Sequence, residues 1–361
     1  MISKRVPIGQ YCCERIETIS KEYDGLIDYI DISSIDNVEK KIHTYQTIEA
    51  KEAPSRAKQL VQKGDILVST VRPNLNAVAI VESLTENLMV CSTGYCVLRS
   101  NGTIDNRFLF YFCQSNYFVD DMTSQATGAS YPAVNSGIVK KSLIPIYTLE
   151  QQKHISSQLD KVSRLIGFRK QQLSKLDELV KSRFIEMFGD PIINSKNLPE
   201  KFFIDVVMLQ RGFDLPTQNR VSSGDVPVYG SNGVLDFHDK SRCSNGVITG
   251  RSGTIGKVYY CKNDYWPLNT TLFSVDTKGN NIVYLAYLLD YYNLARFYDG
   301  TGVPTLNRNV VHKQKIIDVP LDLQNKFATF VEQTDKLKLE VKESLEKLET
   351  LKKSLMQKYF G

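Results

Sequence analysis

The sequence predicts an α+β chain built twice on one plan, a mixed α/β globular part followed by one long helix, with a pseudo-two-fold internal repeat. Three observations carry this. Residues 149–189 and 321–361 align at a constant shift, with Leu173 on Leu345, Leu176 on Leu348, Leu179 on Leu351 and Phe188-Gly189 on Phe360-Gly361. The repeat extends upstream: Thr127-Gly128, Tyr131-Pro132 and Ile144-Pro145 answer to Thr301-Gly302, Val303-Pro304 and Val319-Pro320. Finally, 361 residues suit two domains.

The first globular part, residues 1–148, carries strand-like runs at Asp65–Thr70, Ala77–Val81 and Tyr95–Leu98, with Gly, Asn and Pro between them. Arg107–Tyr117 is an apolar helical segment whose aromatics suit a core better than a base-stacking platform. Residues 149–189 form the first long helix. Ile155, Leu159, Val162, Ile166, Leu173, Leu176, Val180 and Met187 follow alternating steps of four and three, the pattern of a coiled-coil seam. Arg169 and Arg183 occupy two seam positions that the pattern would make apolar. The second globular part, residues 190–320, has strand-like runs at Gly246–Thr249 and Lys257–Cys261 and an apolar helical segment at Ile282–Tyr292. The second long helix, residues 321–361, repeats the seam with Leu323, Phe327, Phe330, Leu337, Val341, Leu345, Leu348, Leu351 and Leu355. Each long helix would span about 60 Å at 1.5 Å per residue. One apolar seam cannot bury itself, so the two helices most simply pair with each other.

Composition excludes several classes. The net charge of +5 permits a polyanionic partner without demanding one. Seven cysteines, an odd number with Cys12 and Cys13 adjacent, suit no disulfide framework; no metal-binding spacing appears, and a reduced cytoplasmic setting fits best. The opening residues show no signal peptide, and no stretch reaches the roughly 18 apolar residues of a membrane span. The stretch TGRSGTIGKV (249–258) looks like a phosphate loop, yet five residues separate Gly250 from Gly256, and Val258 stands where Ser or Thr must reach magnesium. The four histidines are scattered, acidic pairs such as Asp120-Asp121 have nothing to order them, and the Asn-Pro-Pro-aromatic signature of amino-group methylation is absent. The residues suggest a binder and not an enzyme, with no catalytic residue.

Both globular parts offer groups that grip nucleic acid. Arg72, Asn74 and Asn76 lie in a turn between two strand-like runs, and Arg251, Ser252 and Thr254 lie in the corresponding turn of the second part. The chain resembles the specificity subunits of type I restriction–modification systems. The resemblance rests on PSRA (54–57), KGDILVSTVRPN (63–74), YGSNG (229–233), the T-G…P stretches (127–132 and 301–304), LEQQ (149–152) and the repeated helices, and it covers essentially the whole chain. It implies two target recognition domains, each reading half of a bipartite, asymmetric DNA site, separated by two long antiparallel coiled-coil helices. It implies two modification subunits, which supply S-adenosylmethionine and methylate adenine, and restriction subunits that bring ATP and Mg and cleave unmodified DNA. This chain would then bind double-stranded DNA and no cofactor of its own. Arg72, Asn74, Tyr131, Arg251 and Ser252 are the base-contact candidates. Tyr229, Ser231 and Asn232 would contact DNA or shape their turn. Lys51, Arg56, Lys58, Lys240, Arg242, Lys257 and Arg308 are phosphate-contact candidates, with Arg56 equally suited to bracing its domain. The competing reading is a duplicated coiled-coil scaffold whose globular ends bind protein.

Overall fold

The computed structural model describes residues 4–221, 223–299 and 304–361. The chain divides into two compact units, Met1–Arg169 with Ser344–Gly361, and Lys170–Glu343. Two 40-residue helices, Leu149–Phe188 and Leu321–Phe360, each contribute to both.

In unit 1 a three-stranded antiparallel sheet runs in the order Tyr95–Leu98, Ile66–Ser69, Val78–Ile80. A four-stranded sheet runs Gln46–Glu49, Leu26–Ile30, Leu88–Ser92, Ala57–Leu60, with only the central pair parallel. The strands Ile66–Ser69 and Tyr95–Leu98 are buried along their whole length, so they read as continuous apolar runs and not as alternation. The sheets are locked by Asp65, whose carboxylate takes both Arg99 Nε at 3.0 Å and Arg99 Nη2 at 2.8 Å, while the backbone N–H of Gln62 donates to it at 2.8 Å. The expected helix Arg107–Tyr117 is two helices, Asn106–Phe112 and Asn116–Ser124. Cys113 closes the first, and Ser115 caps the second, its Oγ donating to the Phe112 carbonyl and accepting from the Phe118 N–H.

Unit 2 holds a six-stranded sheet in the order Met208–Arg211, Thr271–Asp276, Cys243–Gly250, Val258–Pro267, Val226–Gly230, Gly233–His238. The pairing is antiparallel apart from Val226–Gly230 beside Val258–Pro267. The helix Ile282–Tyr291 covers it and is buried almost all round.

The repeat shows in how each globular part meets its helix. In unit 1 the entering strand Arg5–Pro7 pairs with the leaving strand Leu143–Pro145; in unit 2 Glu200–Phe202 pairs with Lys315–Ile317. Just inside each long helix sits a buried glutamine. Gln152 accepts from the Asp105 N–H and donates to the Tyr147 carbonyl; Gln324 accepts from the Asn281 N–H and donates to the Val319 carbonyl. Each ties the N-terminus of a globular helix to the start of a long one. The far ends of the long helices supply core. Phe188 packs against Tyr284 and Phe327 in unit 2, and Phe360 against Phe108 and Phe112 in unit 1. Arg5 donates to the carbonyls of Phe360 and Gly361, satisfying acceptors that a helix end leaves open, and stacks on Tyr117.

The helices run antiparallel within each unit. In unit 1 Tyr359 donates to Gln158 at 2.8 Å and Arg169 to Ser344 at 3.2 Å; in unit 2 Lys338 pairs with Asp177 at 2.7 Å and Phe184 packs on Phe327. Of the seam residues, Leu159, Val162 and Val341 are buried, and Ile166, Leu173, Leu176, Leu345 and Leu348 half-buried. Leu337 needs correction: it is 51% exposed. The buried row of the second helix runs through Phe327, Val331, Thr334, Lys338 and Val341, a strict four-three alternation that puts Thr334 and Lys338 where a leucine at 337 was expected. Thr334 tolerates this because its hydroxyl donates to the Phe330 carbonyl, and Lys338 because Asp177 and Asp335 take its ammonium. Leu351 is likewise exposed while Lys352 is half-buried. Arg183 keeps its seam position by lying over Phe330 and pairing with Glu186.

Candidate nucleic-acid interface

In unit 1 the strands Ile66–Ser69 and Val78–Ile80 form a hairpin whose turn contains Arg72 and Asn74. Two non-glycine residues there take left-handed backbone: Arg72 at φ 49° and Asn76 at φ 49°. Asn76 is explained by its side chain, which donates to the Cys113 carbonyl and accepts from Lys40. Arg72 is held by its backbone, its N–H donating to the Pro132 carbonyl at 2.7 Å while Val71 bridges Ala133. A second loop, closed by the Thr127–Ala133 bridge, therefore straps the turn. Tyr131 stands at the tip of this loop, 69% exposed, with the Arg72 guanidinium carbon 4.7 Å from its ring centre. The structure thus brings together Arg72 and Tyr131, which are far apart in sequence. Asn74 is exposed beside them in the same turn.

Unit 2 uses the same device. The hairpin Cys243–Gly250/Val258–Pro267 encloses the turn 251–257. The strap is the segment around Thr305: Ser252 bridges Thr305, and the Leu306 N–H donates to the Arg251 carbonyl at 2.8 Å. Thr301, Gly302 and Val303, the counterparts of the first T-G…P stretch, lie outside the described residues. The turn folds back so tightly that a Cβ on Gly250 would lie 1.7 Å from the Thr254 carbonyl oxygen. The turn Gly230–Gly233 lies against it, where Lys257 Nζ donates to Asn232 Oδ1 at 2.8 Å and the Ser231 carbonyl faces Gly250.

Two base-contact candidates change meaning. Arg251 is half-buried, and its Nε donates to the Asn269 carbonyl at 2.9 Å, so one edge of its guanidinium braces the turn. Ser252 is half-buried beside it. Tyr229 is 8% exposed and packs on Tyr259 and Tyr265. Burial, with Cys261 beside it, pushes its phenol up to about 12. Tyr229 is a core residue that shapes the turn, because both faces of its strand are covered, Val228 packing in one cluster and Tyr229 in another with Ile248, Tyr265 and Phe273; its burial takes it out of the base-contact candidates. Ser231 is half-buried and Asn232 exposed.

Among the phosphate candidates, Lys51 pairs with Asp24 on the surface, and Arg56 and Lys58 are exposed at and beside the strand Ala57–Leu60. Lys240 is exposed after the strand Gly233–His238. Arg242 is exposed and lies over Trp266 at 5.0 Å and Phe213 at 5.4 Å, which fixes its plane. Arg308 is half-buried at the start of a short helix, Arg308–His312. Sequence reasoning gave no weight to Phe213 or Trp266, because two aromatics far apart in sequence signal a shared seat only once the sheet places them together.

The sequence profile of the family described as "Type I restriction modification DNA specificity domain" matches residues 10–178 and 200–352. The chain is similar to the type I restriction enzyme MjaVIII specificity subunit of Methanocaldococcus jannaschii, 26% identical over 145 residues, or 39% of this chain and 34% of that protein. It is also similar to the HindI specificity subunit of Haemophilus influenzae, 26% identical over 179 residues, or 48% of this chain and 38% of that protein. The chain thus matches little more than a third of the length of these relatives. Two solved structures share the fold. A chain from work on complex assembly and conformational transition of the type I R-M system gives a TM-score of 0.66 at 22% identity, covering 99% of this chain and 97% of that one. The type I restriction–modification S subunit from M. genitalium gives 0.65 at 14% identity, covering 99% and 96%.

Proposed function

The chain belongs to the type I restriction–modification DNA specificity family, and from that premise we propose that it is the sequence-reading subunit of such a complex. Each globular part reads one half of a bipartite, asymmetric DNA site. The paired helices set the spacing of the halves and dock two modification subunits, which hold S-adenosylmethionine and methylate adenine. Restriction subunits, with ATP and Mg, cleave sites left unmethylated. This chain contributes no reacting group and binds no cofactor.

The observation that carries the reading is the repeated strapped turn. Both units hold a hairpin turn rigidly by bonds to a second loop, Arg72 through Pro132 and Arg251 through Leu306. The exposed side chains at the two turns differ, with Arg72, Asn74 and Tyr131 in one and Asn232 and Lys257 in the other. A fixed frame with different reading groups suits a target whose halves differ.

Methylome sequencing of cells expressing the chain with its modification subunit tests this. The expected result is one two-part asymmetric adenine-methylation motif. Exchanging residues 190–320 for those of another specificity subunit changes one half of the motif only. Binding should also fall steeply with salt, since phosphate contacts release counterions. A complex that assembles but shows no sequence-dependent DNA binding at any salt would leave the protein-binding scaffold as the answer.

A further inference from the structure

We infer that Arg72, seated on Tyr131, reads a guanine in the half-site of unit 1. The inference rests on the DNA-reading function proposed above and adds which side chain reads and which base it takes.

Arg72, with Arg242 and Arg296, is among the few described arginines that are exposed and seated on a ring. Most of the others near a carboxylate or carbonyl are committed to it: Arg99 to Asp65, Arg107 to Glu82, Arg251 to the Asn269 carbonyl. The Arg72 guanidinium has a ring beneath it and no carboxylate partner among the described residues, and the residue is exposed. Its backbone is also unusual. Of the eight described non-glycine residues at positive φ, five are asparagine, which tolerates that conformation, and two are lysines, Lys40 and Lys278, that bond Asn76 and Asp276. Arginine gains nothing locally from the left-handed region. Its presence there points to a demand on the side chain itself.

The surroundings fix that side chain in space. The Cα is held by the Arg72 N–H on Pro132 O, by the Leu75 N–H on Arg72 O, and by Pro73, buried as the next residue. The guanidinium plane is held by the Tyr131 ring. A planar fork held at a fixed angle and open to solvent matches the paired O6 and N7 acceptors of guanine in the major groove. A phosphate also accepts two N–H donors, so the experiment must separate base from backbone.

The full chain with its modification subunit first selects sites from a random duplex library. Binding is then measured on the selected duplex and on versions with each guanine replaced in turn by 7-deazaguanine, which lacks the N7 acceptor. One guanine should prove sensitive, with a loss that is part of the roughly 5- to 150-fold value of a whole bidentate contact, since O6 still accepts. Arg72→Gly, which suits the left-handed backbone, should bind the selected duplex at least as weakly as the native chain binds the substituted one, and lose nothing further on the substituted duplex. Arg72→Lys should keep overall affinity better than Arg72→Gly yet lose part of the guanine discrimination, its ammonium lacking the planar fork. Tyr131→Phe should keep the discrimination and Tyr131→Ala weaken it. If Arg72→Gly weakens all duplexes equally, including scrambled ones, while site preference survives, Arg72 is a phosphate contact and the inference is overturned with the function intact. If library selection yields no preferred site at all, the function itself is overturned and the inference with it.

Discussion

Phe360 should carry a large share of the stability of unit 1 and none of that of unit 2. Its side chain is fully buried at the end of the second long helix, with ring centres 5.1 Å from Phe108 and 6.0 Å from Phe112. Phe360→Ala removes about 1.5–3 kcal/mol of transfer energy, leaves a cavity, and breaks two aromatic pairs worth about 0.5–1.5 kcal/mol each. Measured Phe→Ala changes in cores are about 3–5 kcal/mol, which sets the expected loss. Hydrogen exchange read segment by segment is the appropriate assay, because two units need not unfold together. Protection should fall by that amount in Ile66–Ser69 and Asn106–Phe112, and by less than about 0.5 kcal/mol in Cys243–Gly250 and Ile282–Tyr291. Phe188→Ala should give the mirror result. A loss below about 1 kcal/mol in unit 1, or an equal loss in both units, would refute the reasoning.

Gly250→Ala drives a Cβ into the Thr254 carbonyl, so the second turn must open at a cost of about 1–3 kcal/mol. Gly253→Ala, at φ +88° with Ser231 Oγ at 3.5 Å from the added Cβ, should cost about 1–2 kcal/mol and disturb recognition less; DNA-binding selectivity and melting would rank the two. Lys338→Leu fills the seam and releases Asp177, which is mostly exposed, so unit 2 should gain about 1 kcal/mol, whereas Asp177→Ala should lose less than about 1 kcal/mol; thermal unfolding separates them. Burial, then repulsion from Lys352, holds the Lys40 ammonium down to about 8 against the ordinary 10.5, with Asp36 opposing. Between these values the unfolded chain binds this proton more strongly, so the contribution of Lys40 grows as pH rises from about 8 towards 10.5, against an opposing loss from the thiols of Cys12, Cys91, Cys96 and Cys113, which burial holds above their ordinary range. Denaturant titrations across that window should show the native chain gaining on Lys40→Met as pH rises, and no change in their difference would refute the assignment.

Periodicity carried the long helices and their pairing, because a four-three rhythm over 40 residues has few other solutions. It failed at Leu337, where apolar identity suggested burial and geometry did not. The true seam holds Thr334 and Lys338, whose polar groups find partners that only the folded pair reveals. The hairpin turns were legible from glycine and arginine placed between apolar runs. Tyr229 was not, since only the assembled sheet shows that both faces of its strand are covered. The strapping of Arg72 by Pro132, and the seating of Arg242 on Phe213 and Trp266, rest on contacts between distant segments and leave no local trace. Gln152 was visible in the LEQQ opening of the first long helix; that it and Gln324 each tie down a globular helix needed coordinates.

Synthesis of this chain meets the units out of order. Unit 2 is one continuous run of residues, whereas unit 1 begins at the first residues and takes its last aromatic from position 360. Chains leave the ribosome from the N-terminus, and domains generally fold as they emerge. Here Lys170–Glu343 can close while Phe108 and Phe112 still face an unfilled site, waiting for the last turn of the second helix. The half made first is the half completed last, and until then it is a nascent chain with an open apolar socket, of the kind that holding chaperones bind.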